Sequence, residues 1–174
     1  MSSTLIMRPP LFRKPSSPQD QDTRASSPDA TGVIDMETFL QILDLDEDDT
    51  HDFSKGMAWA YFSQAAHTFT EMDEALAAKD LGKLSSLGHF LKGSSAALGV
   101  AKVQASCERM QHLGQRRDEE AGVDLSQEEA LARIAPLLVA VKKEYAVAQA
   151  WLKNWYKENV KPGPDDRDEE DEEE

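Results

Sequence analysis

A single cysteine, Cys107, occurs in 174 residues, so the chain forms no internal disulfide and cannot by itself build a thiolate zinc site. One thiol fits a reducing compartment. No apolar run approaches the roughly 20 residues that span a bilayer, which leads to the expectation of no membrane association. Thr4-Leu5-Ile6-Met7 is too short for the apolar region of a signal peptide and runs straight into Arg8-Pro9-Pro10. Basic residues are scarce too: 19 Lys and Arg stand against 33 Asp and Glu, for a net charge of −14. Much of that charge is local, because Asp165 to Glu174 holds nine acids and Arg167. The first thirty residues are close to neutral, and the remaining body is still acidic. Such a body argues against nucleic-acid binding, which relies on clustered cations to displace counterions. A Gly-rich phosphate loop is also missing, and with it any sign of an ATP site.

What is present suits one ordinary domain, since 40% of the residues are hydrophobic and a chain of this length can bury a core. Residues 1–30 are rich in Pro, Ser, Asp and Gln and are expected to form a disordered arm. Residues 162–174, opened by Pro162-Gly163-Pro164, are expected to form a disordered acidic tail. The domain is placed at 31–161.

Within it, every periodic segment is helical. Asp35 caps a first helix to about Leu45, with Met36, Phe39, Leu40 and Leu43 on one face and Ile42 and Leu45 left outward for a partner. Asp44 to Asp52 alternates carboxylates like a calcium loop, but Asp49 stands where the turn needs glycine and Lys55 where the bidentate glutamate belongs. An acidic turn is the better reading. Phe62, Ala65, Phe69, Met72 and Leu76 stripe a second helix from Phe53 to about Lys79, on which His67 has no functional partner in sight. Asp80 and Gly99 bound a third helix, and Val100, Val103, Cys107 and Met110 stripe a fourth, making Cys107 a small buried hydrophobe. Arg116 to Leu125 reads as a loop. Ser126-Gln127-Glu128-Glu129 is a capping box opening a long helix through Asn159, which Pro136 either kinks or divides. The expected fold is all-α, an antiparallel four-helix bundle with an additional short N-terminal helix.

The third helix carries the chemistry. At about 100° per residue, Leu84, Leu87, Leu91 and Leu98 share one direction and His89 faces the opposite way. Lys92 and Gly93 lie on the turn after it. An imidazole in water titrates near ~6.5 and is largely neutral and nucleophilic at pH 7. Phosphorylation of the ring would add close to two negative charges, which a neighbouring lysine offsets. Gly93 costs a helix interior roughly 1 kcal/mol against alanine, so room beside the histidine is a reason for it. A bare His-x-x-Lys-Gly by itself favours the reading of an exposed, inactive histidine over the reactive one. Gln111 and Gln115 flank the inner stripe of the fourth helix, on a side that can face His89.

The run His89-Phe90-Leu91-Lys92-Gly93-Ser94-Ser95-Ala96-Ala97-Leu98-Gly99 resembles the phospho-acceptor motif of histidine-containing phosphotransfer proteins. With Asp52-Phe53-Ser54-Lys55-Gly56 and Cys107-Glu108-Arg109-Met110-Gln111, it is similar to the fungal branch, the phosphorelay intermediates of the osmostress two-component pathway. The resemblance implies that His89 accepts and donates the phosphoryl group, assisted by Lys92, Gly93 and Gln111; Ser86 and Gln115, with the outward Ile42 and Leu45, are expected to contact the partner. It implies a phosphocarrier with no kinase activity and no cofactor of its own, Mg²⁺ belonging to the partner. The partners implied are the receiver domain of a hybrid histidine kinase and those of response regulators. A monomer in the cytoplasm and nucleus is expected. Two alternatives stay open: a degenerate receiver-binding module, and an acidic-tailed helical adaptor or chaperone. The family's basic residue after the glutamine has no fixed counterpart here, because Gln115 is followed by Arg116 and Arg117.

Overall fold

The computed structural model describes residues 32–160; the expectations for the arm and the acidic tail lie outside them. Helix α1 spans Met36–Leu43, α2 Asp52–Ala77, α3 Leu81–Leu98, α4 Ala101–Gly114 and α5 Gln127–Asn159. Strands β1, Arg117–Asp118, and β2, Val123–Asp124, form a small antiparallel hairpin between α4 and α5. The bundle is α2 to α5, with α1 laid across one end.

The expected caps are in place. Asp35 accepts from the Glu37 amide at 3.1 Å, Asp80 from the Lys83 amide at 3.0 Å, and Ser126 and Glu129 close a reciprocal box. Gly99 ends α3 with φ of +79°, and a Cβ there would lie 2.8 Å from the Asp35 carbonyl. The chain needs glycine at that point twice over, for the left-handed turn and for the close approach of α1. Asp35 N–H donates to the Gly99 carbonyl at 2.6 Å and Ala101 N–H to Val33 at 2.9 Å, which ties the start of α1 to the α3–α4 turn.

Three expectations change. Ile42 is buried at 7% exposure while Leu40 is 51% exposed, so α1 is rotated from the orientation its apolar face suggested. The cause is aromatic: Phe39 makes edge contacts with Trp151, Trp155 and Tyr156 at 5.4, 5.2 and 6.1 Å, and the seat this creates turns position 42 inward with it. Secondly, the segment read as a loop makes the β-hairpin. Asp118 accepts from the amides of Glu120 and Ala121, and Gly122 adopts φ of +71°, a local turn with too few residues for any period to show. Thirdly, of the two readings at Pro136 the division is excluded, because α5 runs unbroken through it. That proline is exposed, so water can reach the carbonyl that loses its helical donor. His67 is exposed but does have a neighbour, Glu71, at 3.5 Å.

The core contains Leu84, Leu91, Leu98, Val103, Cys107, Met110, Ile134 and Leu152, each no more than 1% exposed. Burial pushes the Cys107 thiol up to about 12, so it stays protonated and unreactive. Where α3 meets α4, a Cβ on Gly88 would stand 2.9 Å from the Cys107 carbonyl, and one on Gly114 2.7 Å from the Leu81 carbonyl. Those two glycines let the backbones touch. The helix carrying His89 is held at a fixed distance from the helix carrying Gln111.

Candidate functional site

His89 projects into solvent midway along α3, because leucines at 84, 87 and 91 take the inner face. Two bonds cross from its helix to α4, one on each side of it, and both end on Gln111. Ser85, one turn before, donates its hydroxyl to the Gln111 carbonyl at 2.9 Å. Lys92, one turn after, donates its ammonium to Gln111 Oε1 at 2.9 Å. The side chain of Gln111 is therefore on the α3 side of its helix. With its oxygen occupied by the ammonium, the amide presents its NH₂ as the remaining donor.

Gly93 differs from Gly88 and Gly114, since a Cβ built on it would meet nothing within 4 Å. The chain's own packing does not require this glycine. What its small size leaves is an open approach beside the imidazole. Phe90, next to His89, is 50% exposed. Ser94 bridges from the following turn to Gln64 of α2 at 3.4 Å, placing that helix on the other flank.

Of the residues singled out from the sequence, His89, Lys92, Gly93 and Gln111 are brought onto one surface at the α3–α4 seam. Ser86 is exposed one turn before His89, and Gln115 is exposed at the end of α4. Leu45 is 62% exposed beyond the end of α1, and Ile42 is withdrawn into the core. No cluster of His, Cys, Asp or Glu among the described residues is arranged to hold a metal ion.

The Hpt domain model matches residues 56–151, more than half of the chain. The protein belongs to the Hpt domain family. This Hpt domain is 48% identical over 128 residues to multistep phosphorelay regulator 1 of Schizosaccharomyces pombe, covering 73% of this chain and 43% of that protein. It is 44% identical over 87 residues to the phosphorelay intermediate protein YPD1 of Saccharomyces cerevisiae, covering 49% and 52%. The chain thus spans about half the length of the curated relatives it matches. The crystal structure of yeast YPD1 superposes with a TM-score of 0.63 at 30% identity, covering 74% of this chain and 97% of that one. Another solved structure, at TM-score 0.63 and 33% identity, is a co-crystal of yeast Ypd1 with the receiver domain of its downstream response regulator Ssk1, covering 74% and 97%. The helical bundle is therefore that of the family, and His89 lies inside the matched span.

A second cluster, not foreseen as a unit, joins His51, Asp46 and Ser54. Asp46 accepts from the Ser54 amide at 2.7 Å and its hydroxyl at 2.6 Å, and pairs with His51 Nδ1 at 2.7 Å. His51 also stacks edgewise on Trp155 at 5.3 Å. An Asp and a Ser eight positions apart are no cue by themselves, and among the six acids of residues 44–52 no single carboxylate stands out. Burial opposes ionisation of Asp46, yet the hydrogen bonds from Ser54 and His51 outweigh it and hold the carboxyl below its ordinary range.

Proposed function

We propose that this Hpt domain is a phosphorelay carrier whose acceptor is His89. An imidazole nitrogen attacks the phosphorus of a receiver's aspartyl phosphate, the phosphorus–oxygen bond to the carboxylate breaks, and the aspartate leaves as a free carboxylate while the ring nitrogen holds the phosphoryl group. The reverse step loads the aspartate of a second receiver. A hybrid sensor kinase supplies the first receiver and a response regulator the second. The observation that carries this reading is the exposed His89 bracketed by Lys92, Gln111 and the open space at Gly93.

Each neighbour has a part. Lys92 offsets the charge of the phosphoryl group, the Gln111 amide donates to a phosphoryl oxygen, and Gly93 admits the receiver. Transfer between two acceptors of this kind needs positioning and charge neutralisation, so the carrier has no ATP-dependent step. Mg²⁺ belongs to the receiver. Docking uses the exposed Leu40, Leu45, Phe53 and Phe90 together with Ser86, with Gln115 at the rim. The protein acts as a monomer in the cytoplasm and nucleus, where both receivers reach it.

Incubation with a phosphorylated receiver tests the reading. An acid-labile, base-stable label that His89→Gln abolishes supports it. Receiver binding without label identifies a degenerate module, and neither identifies the adaptor that the acidic tail would suit.

A further inference from the structure

Ser85 lies one turn before His89 on α3 and is half-buried against α4. A Cβ built on Gly114 would stand 2.8 Å from both the Ser85 nitrogen and its Cβ, so the last turn of α4 runs directly over this serine. The carbonyls of a last helical turn are short of helical donors. The Gln115 N–H, which would close the turn on Gln111, lies 3.2 Å from the Gln111 carbonyl and 3.0 Å from that of His112. The Ser85 hydroxyl supplies the shorter bond to the Gln111 carbonyl, at 2.9 Å. Among the described residues, no other α3 side chain donates to the α4 backbone.

Gln111 is thereby held at both ends. Ser85 takes its backbone carbonyl and Lys92 its side-chain oxygen, from the turn before His89 and the turn after it. A lysine ammonium only donates, so its bond fixes which way round the amide lies and leaves the NH₂ free. Where that NH₂ stands still depends on the backbone beneath it, and Ser85 holds that backbone.

We propose that Ser85 is a positioning residue of the transfer site: its hydroxyl anchors the Gln111 backbone so that the Gln111 amide meets the phosphoryl group on His89. The assignment rests on the carrier function proposed above and extends it by a residue that acts only through Gln111. A donor set out of place by about an ångström loses most of its effect on the reacting group. Removing Ser85 therefore costs no more than removing the amide itself.

The test is a double-mutant cycle on the full chain with Ser85→Ala, Gln111→Ala and the two combined. Each protein is followed by single-turnover transfer from a phosphorylated receiver and by calorimetry. Gln111→Ala retains the backbone carbonyl, so the Ser85 bond survives it. In the wild-type background Ser85→Ala is expected to slow transfer about two- to tenfold, the worth of one neutral hydrogen bond. In the Gln111→Ala background it is expected to have no further effect, while its shift in Tm is the same in both. Equal slowing in the two backgrounds would overturn the proposal and leave Ser85 a structural member of the seam. A wild-type rate for Ser85→Ala would overturn it as well. A second readout needs no transfer: the side-chain amide resonances of Gln111 are expected to move in Ser85→Ala toward their positions in Lys92→Ala, where the amide is released. Unmoved resonances would overturn the positioning. If the wild type takes no label at all, the carrier function fails, and the amide resonances alone decide whether Ser85 positions Gln111.

Discussion

Gly88 and Gly93 lie five residues apart on one helix, and replacing each with alanine should change stability in opposite directions. At Gly88 the new Cβ would stand 2.9 Å from the Cys107 carbonyl and 3.1 Å from the Gln111 amide nitrogen. Both are backbone atoms, so no rotamer change relieves the contact and α4 must retreat by about half an ångström. Overpacking of this kind costs typically about 1–3 kcal/mol, and removing a helical glycine offsets about 1 kcal/mol. The net expectation is a loss of up to about 2 kcal/mol. The same retreat lengthens the Ser85 and Lys92 bonds to Gln111, so transfer slows as well. At Gly93 the Cβ meets nothing within 4 Å, and the helix gains about 1 kcal/mol, a rise of roughly 2–6 °C in Tm for a domain of this size. Phosphoryl transfer should nevertheless fall, further with Gly93→Gln than with Gly93→Ala, because the added atoms lie on the open approach to His89. Calorimetry and single-turnover transfer from a phosphorylated receiver, run on both variants, check this. A Gly93→Gln protein that is stabilised and transfers at the wild-type rate would refute the reasoning that this glycine serves access.

Further outcomes follow from named contacts. Gln111→Ala should lower the transfer rate by up to about tenfold, the worth of one neutral hydrogen bond of 0.5–1.5 kcal/mol, and leave Tm nearly unchanged. Lys92→Ala should shorten the lifetime of the phosphohistidine, followed as decay of label on the isolated protein. Leu45→Ser should weaken receiver binding at constant Tm, whereas Ile42→Ser, which puts a hydroxyl into the core, should lower Tm clearly; calorimetry and titration together separate the two. Asp46 is ionised more readily when folded than when unfolded, so its contribution to stability is present above the ordinary carboxylate pKa of about 3.9 and is lost as pH falls below it. Asp46→Asn should therefore flatten the acid side of a Tm–pH curve, and an unchanged slope would remove the carboxylate from that role.

Much of the bundle is legible in sequence because its signals are redundant. The leucines of α3, the stripe through Cys107 and the capping box at Ser126 each combine a period with an end signal, and all are observed. The inward turn of position 42 is not legible because an eight-residue helix offers two turns in which to fix a rotation, and the partners that seat Phe39, Trp151, Trp155 and Tyr156, lie more than a hundred residues away. The hairpin at Arg117 to Asp124 escaped because two-residue strands have no period. His89, Lys92 and Gly93 were readable as a unit since they are neighbours on one helix. The stripe through Val103 and Cys107 puts Gln111 only at its margin, and the resemblance carried by Cys107-Glu108-Arg109-Met110-Gln111 is what points it toward His89; its bond to Lys92 joins residues nineteen positions apart and depends on how Gly88 and Gly114 set the helices together. The knot of Asp46, His51 and Ser54 depends on the same kind of information. A backbone turn, with His51 at φ of +54°, brings its members together, and their spacing alone does not announce it.

The central claim is that His89 carries the phosphoryl group, and the measurement that bears on it most directly is label transfer from a phosphorylated receiver domain to the full chain and to its His89→Gln variant. The expected result is an acid-labile, base-stable label on the wild type and none on the variant, with matching helicity and Tm because an exposed side chain contributes little to the fold. A label retained by His89→Gln, or an acid-stable label on the wild type, would contradict it.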